Sequence, residues 1–160
     1  MGWQIGVGEN GRDIGYGVPA ICDAPKCSEK IDRGLSYCCG EFVSENGGCG
    51  LYFCGSHLLT VGYGDDEISS QLCDPCAISW KLWKMDEDNG YKLAPAGYKP
   101  KKDVLEWVIW KIYHESWQTW RDNNPEKYGE LKKRELHAAV TSRKIARSFR
   151  DEEGFICPTI

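Results

Sequence analysis

The spacing of its cysteines constrains this chain more than any other feature. Eight of the nine fall between positions 22 and 76. Seven of these, with one histidine, form four pairs: Cys22-x4-Cys27, Cys39-x9-Cys49, Cys54-x2-His57 and Cys73-x2-Cys76. A pair two to four residues apart needs only one tight turn to aim both side chains at a single ion, and four such ligands complete the closed tetrahedron of a structural zinc site. Glycines beside Cys39, Cys49 and Cys54 relieve crowding at these turns. Cys38 and Cys39 both qualify as the third ligand, and Gly40 favours Cys39. The expected cofactor is therefore two Zn²⁺ ions, held by Cys22, Cys27, Cys39, Cys49, Cys54, His57, Cys73 and Cys76.

The surroundings of these residues agree with that use. The first residues, "MGWQIGVGENGRD", contain no basic stretch followed by an apolar one, and Gly6 stands where a myristoylation signal carries serine or threonine. A cytoplasmic address is expected, where thiols stay reduced and a disulfide framework is disfavoured. No apolar run approaches the roughly 18 residues of a membrane span, so no membrane partner is expected. Between residues 20 and 80, periodic apolar positions are too few for a self-sufficient core. Structural zinc contributes on the order of 10–16 kcal/mol of apparent binding energy in small fingers, enough to hold such a region together.

The composition divides the chain in two. Residues 1–90 carry 6 Lys/Arg against 14 Asp/Glu, whereas residues 91–160 carry 14 against 10. The reading is an α+β chain, with a zinc-binding module of short β-hairpins over 1–90 and a Trp-rich α-helical hairpin over 91–160. Asn10-Gly11 predicts a turn between two short N-terminal strands. Gly6, Gly8 and Gly11 match a dinucleotide fingerprint, but glycines and Pro19 follow where its helix should begin, so structural glycines are the better account. A helix is predicted over 74–85, with Pro75 in its first turn. The Gly/Pro-rich residues 86–102 read as a linker. Asp103 then caps an apolar helix carrying Trp110, Tyr113, Trp117 and Trp120 at steps of three and four. Asn124 and Pro125 open a last helix running to about residue 150.

Here the residues carry a resemblance. "CGLYFCGSHL" followed by "LCDPCAISW" resembles the second half of cross-brace, treble-clef zinc fingers of the RING, PHD, FYVE and AN1 types, over roughly residues 20–85. In those folds the first and third ligand pairs share one zinc, and the second and fourth share the other. The resemblance thus implies Cys22 and Cys27 with Cys54 and His57, and Cys39 and Cys49 with Cys73 and Cys76; sequential pairing is the alternative. Two spacings depart from the family, the four residues within the first pair and the nine within the second. The run "IGYGVPAICDAPKC…IDRGLSYCCGEF…GCGLYFCGSHL" also resembles small proteins encoded by bacteriophages and prophages, which implies a bacterial host cytoplasm as the setting.

No catalytic set emerges. His57 beside Cys54 fits a co-ligand better than a base activating a nucleophile, since a thiolate in a closed tetrahedron is not free to attack. His114 and His137 read as ordinary helix residues and Cys157 as a spare thiol. The expected function is a non-enzymatic protein-interaction module, a phage accessory protein binding a host protein, with no small-molecule substrate. Six of the seven tryptophans fall in pairs at i, i+3, more than so small a core needs, and Trp80, Trp83, Trp110, Trp117 and Trp120 are candidates for the partner surface. The alternative is a nucleic-acid-binding regulator using Lys132, Lys133, Arg134, Arg143, Lys144, Arg147 and Arg150 to neutralise phosphates. The RING-type ubiquitin ligase implied by the resemblance is a poorer reading, because the widened second pair suits its partner groove badly.

Overall fold

A computed structural model describes residues 5–8, 11–40, 48–63, 66–85 and 97–152. Among these residues the fold is α+β, with short antiparallel strands and four α-helices. The chain forms two compact units, Met1–Val104 and Leu105–Ile160.

The first unit opens with β1 (Gly6–Val7) paired antiparallel to β2 (Asp13–Ile21), Gly6 opposite Ile14 and Val7 opposite Asp13. The connection turns tightly: the Gly11 N–H donates to Gly8 O at 2.8 Å, and Gly11 has φ +73°, the left-handed region in which glycine meets no steric cost. Strand, not helix, follows the three glycines, so the phosphate-binding geometry of a dinucleotide fold is absent there. The far edge of β2 takes β3 (Lys30–Arg33), with a register shift between Gly15 and Pro19. Proline lacks the N–H a regular ladder needs, which confines it to such irregular positions.

A second antiparallel pair, β4 (Leu59–Tyr63) and β5 (Asp66–Leu72), leads directly into α1 (Asp74–Met85). Between the two sheets the chain makes 3₁₀ turns at Leu35–Tyr37 and Gly55–His57. The core of this unit is small. Ala20, Ile31, Leu51, Tyr52, Phe53, Val61, Leu72, Ala77 and Trp80 are buried in one cluster with six cysteines.

The second unit consists of α2 (Leu105–Tyr113), α3 (Gln118–Asn123) and α4 (Pro125–Glu152), with α2 and α3 packed on α4. The single apolar helix expected from Asp103 onward is in fact broken. His114 adopts an extended conformation (φ −74°, ψ 136°), its Nδ1 accepts from the Ser116 N–H, and a 3₁₀ turn at Glu115–Trp117 follows. The break is stabilised from α3. The buried Arg121 donates to Lys111 O and His114 O at 2.9 and 2.8 Å, satisfying carbonyls that a helix end leaves without partners. Asn124 joins α3 to α4, donating from its side chain to Trp120 O while its carbonyl accepts the first helical N–H, from Tyr128. From there α4 runs unbroken past Thr141, whose hydroxyl bonds back to His137 O. No helix among the described residues is long and apolar enough to cross a membrane.

Candidate metal centres

Two groups of four ligands converge. Cys22, Cys27, Cys54 and His57 form one, and Cys39, Cys49, Cys73 and Cys76 the other, with all ligand atoms of a group within 4.8 Å of one another. The first and third pairs thus meet, as do the second and fourth.

Each pair is delivered by local backbone chemistry. Cys22 leaves the end of β2, and the chain turns through Asp23 to Cys27, with the Cys27 N–H donating to Ala24 O at 3.2 Å. Lys26 closes this wide knuckle at φ +62°, so one residue in the left-handed region absorbs the extra length that distinguishes it from a two-residue spacer. Cys54 and His57 flank one 3₁₀ turn, closed by the His57 N–H on Cys54 O at 2.8 Å. Cys73 and Cys76 straddle the first turn of α1, and the Cys73 N–H donates to Cys39 Sγ at 3.2 Å. Gly40 has φ +83°, and any Cβ there would lie 2.4 Å from Gly48 Cα, so the chain leaving Cys39 and the chain entering Cys49 touch at a point only glycines permit.

The adjacent pair Cys38 and Cys39 is resolved by strand alternation. Cys38 bridges to Tyr52 in extended conformation (φ −83°, ψ 128°), and successive side chains of an extended chain point oppositely. Cys38 is therefore buried in the core, its Sγ 3.9 Å from Cys39 O, while Cys39 faces Cys49, Cys73 and Cys76.

The donor geometry fits a tetrahedral ion. Zn–S bonds of about 2.3 Å set an S···S edge of about 3.8 Å and a slightly shorter S···N edge. The structure has Cys49 Sγ···Cys73 Sγ at 3.8 Å, Cys27 Sγ···Cys54 Sγ at 4.0 Å and Cys22 Sγ···His57 Nδ1 at 3.6 Å, with Cys54 Sγ···His57 Nδ1 closer at 3.1 Å. Disulfides would need sulfurs about 2 Å apart.

Electrostatics point the same way. Four thiols in one cluster cannot all ionise against one another. Cys39, accepting from Cys49, Cys73 and Cys76, is held far below the usual thiol range. Donation to Cys39 and then the neighbouring thiols push Cys73 and Cys76 far above it. In the other group, burial pushes Cys22 up to about 11, whereas the Glu29 backbone N–H lowers Cys27. Without a cation such a group keeps some of its thiols protonated; a divalent cation lets every ligand ionise.

Sequence reasoning missed the residues that hold the first knuckle. Asp23, only 2% exposed, lies between two ligands and accepts from Arg12 Nη1 (2.8 Å) and Nη2 (3.3 Å), the Tyr52 N–H (3.0 Å) and the Lys101 N–H (2.7 Å). The Lys101 ammonium donates to three carbonyls of the same turn. Residues 97–102, read from their Gly/Pro content as the end of a linker, and Asp103, read as a helix cap, are thus tied to the first unit. A carboxylate inside a ligand knuckle was the available signal, since a buried charge must find a partner.

The other candidates are distributed as follows. Trp80 is buried in the core of the first unit and offers no partner surface; the Trp83 side chain lies outside the described residues. Trp110, Trp117 and Trp120 are half-buried and pack with Trp107 in a chain of stacked and edge-on rings. The buried Lys111 ammonium lies over Trp117 and Trp120, 4.3 and 4.1 Å from their centroids. Lys132, Lys133, Arg134, Arg143, Lys144, Arg147 and Arg150 all lie on α4, the last three with side chains outside the described residues. Lys132 is drawn over the Tyr113 ring at 4.6 Å. Cys157 lies outside the described residues. No protein-family model matches the chain, and no curated protein or solved structure is significantly similar to it.

Proposed function

We propose that this chain is a non-enzymatic protein-interaction module whose first unit is held together by two structural Zn²⁺ ions. The convergence of eight ligands into two closed groups of four carries the reading. Sets of three thiolates with one imidazole, and of four thiolates, select zinc among the common divalent ions by softness and geometry. Four protein ligands leave no open position for substrate or water, which favours a structural over a catalytic role. The crossed pairing, and a β-hairpin leading into a helix that brings Cys73 and Cys76, support a cross-brace, treble-clef-like arrangement.

Surface chemistry supports the interaction role. Leu105, Ile109 and Tyr113 recur every four residues along α2 and are 39%, 40% and 61% exposed. Leu136 and Val140 do the same on α4, at 66% and 41%. Apolar side chains left in water at helical spacing suit a partner. Native mass spectrometry should find two zinc ions per chain. Charge insertion by Ile109→Asp or Leu136→Asp should abolish capture of a partner without changing that stoichiometry. A metal-free polypeptide would refute the zinc reading, and unchanged capture the placement of the surface.

A second reading, nucleic-acid binding by α4, rests on that single unbroken helix carrying all seven basic residues named above. Such binding should weaken steeply with added salt and vanish on reversing those charges. No binding at low salt would remove it.

A further inference from the structure

We propose that residues 97–103 are a strap whose docking is coupled to metal loading at the Cys22/Cys27/Cys54/His57 centre, with Lys101 as the positioning residue of that centre. The inference rests on reading the centre as a zinc site.

The strap has three anchors. The Lys101 ammonium donates to Cys22 O, Ala24 O and Cys27 O at 2.5, 2.7 and 2.5 Å, so all three of its protons are used on one knuckle. Two of those carbonyls belong to the ligands Cys22 and Cys27. The Lys101 backbone is fixed as well, its N–H to Asp23 Oδ1 at 2.7 Å and its carbonyl accepting from Arg12 Nη2 at 3.1 Å. On one side of it the Tyr98 ring lies against Phe53, the residue before Cys54, with centroids 5.8 Å apart. On the other, Asp103 pairs with the fully buried Arg33 at 2.5 Å.

These contacts give Lys101 a task that packing alone does not. Three carbonyl dipoles converging on one point repel one another unless a cation lies between them, and the turn that converges them is the turn that aims Cys22 Sγ and Cys27 Sγ at His57 and Cys54. Remove the ammonium and the knuckle relaxes or hydrates, moving two of four ligands. The charges agree: three thiolates around one Zn²⁺ leave a net −1, which the ammonium offsets. The coupling runs both ways, because a strap that favours the loaded centre must itself be favoured by loading. All three carbonyls that the ammonium reaches lie in the turn from Cys22 to Cys27, so its effect falls on that centre.

The test is Lys101→Met in the full chain, with Tyr98→Ala as a second variant that loosens the strap without touching the knuckle. Both are loaded with zinc and titrated with a graded chelator, and occupancy is read by native mass spectrometry. Co²⁺ substitution separates the two centres, since three sulfurs with one nitrogen absorb differently from four sulfurs. Lys101→Met should weaken the Cys22/Cys27/Cys54/His57 centre about 10- to 100-fold, the usual effect of losing an outer partner of a metal ligand. Tyr98→Ala should weaken it less, and Lys101→Met should leave the other centre unchanged. At saturating zinc, amide exchange in Lys101→Met should rise over residues 98–103 and stay unchanged over 105–143. Equal weakening of both centres, or of neither, in a wild-type background that carries two ions overturns the strap while sparing the zinc reading. A wild type that binds no metal overturns both.

Discussion

Cys38 and Cys39 are neighbours of identical chemistry, and their substitution should have opposite consequences. Replacing Cys39 by alanine removes one of four ligands from its centre. A structural zinc is worth on the order of 10–16 kcal/mol of apparent binding energy, so one ligand's share is about 2.5–4 kcal/mol before the geometry of the other three relaxes. That is a large part of the roughly 5–15 kcal/mol by which domains are stable. Replacing Cys38 by alanine removes a buried sulfur that lies 3.9 Å from Cys39 O and beside the Tyr52 side chain. Losing a group of that size from a core costs about 1 kcal/mol. Native mass spectrometry of the two variants, with urea unfolding of each, reads both quantities. Cys39→Ala should carry one ion and Cys38→Ala two, with the urea midpoint displaced far more in the first. The reasoning fails if Cys38→Ala loses an ion while Cys39→Ala keeps both, because strand alternation would then not assign the ligand.

Acid should release the metal. Protons compete with the ion for its thiolate and imidazole ligands, so the stability the ion contributes is present at neutral pH and lost as pH falls. In the Co²⁺-loaded protein, the sulfur-to-metal absorbance should vanish together with the near-ultraviolet signal of Tyr52 and Trp80; tertiary signal that outlasts the metal would refute this. In the second unit, Arg121→Met should lower stability by about 2–4 kcal/mol, because two hydrogen bonds from a charged donor, to Lys111 O and His114 O, are lost where α2 ends. Thermal unfolding followed by tryptophan fluorescence checks it, and a loss under about 0.5 kcal/mol, the range of an ordinary surface change, would contradict the capping role.

What was legible in the sequence was legible because its cause is local. Cys73, Pro75 and the apolar steps after them fix α1, and Asn124-Pro125 fixes the start of α4, through capping chemistry confined to a few residues. The N-terminal turn at Gly11 is of the same kind. Ligand types and knuckle spacings are likewise local, so the candidate ligands could be named from them. The preference for Cys39 over Cys38 was legible in Gly40, and the Tyr52 bridge accounts for it. Two features were not legible, each decided by a residue distant in sequence. Arg121 stabilises a helix break at His114 that the apolar period of 104–120 conceals. Lys101 fastens a knuckle 74 to 79 positions upstream, from a stretch whose glycines and prolines resemble a free linker.

The core and the two centres are not alternative sources of order in the first unit. An ion joining Cys22 to His57 closes one long loop, and an ion joining Cys39 to Cys76 closes another that overlaps it over residues 39–57. Loop closure costs conformational entropy, and a shared segment means that closing either loop lowers the cost of closing the other. Within that segment, Cys49 belongs to one centre and Cys54 to the other, and Leu51, Tyr52 and Phe53 lie between them. These are 6%, 2% and 0% exposed, among the most deeply buried large side chains of the unit. A four-residue tether fixed at both ends has few conformations, and this one turns its apolar side chains inward against Ile31, Val61 and Leu72. Ions held by these two groups would therefore place the hydrophobic core, and the core would in turn shield the ligands from water. Each is weak in a chain segment this short, and the interleaving of ligand pairs makes them a single cooperative unit.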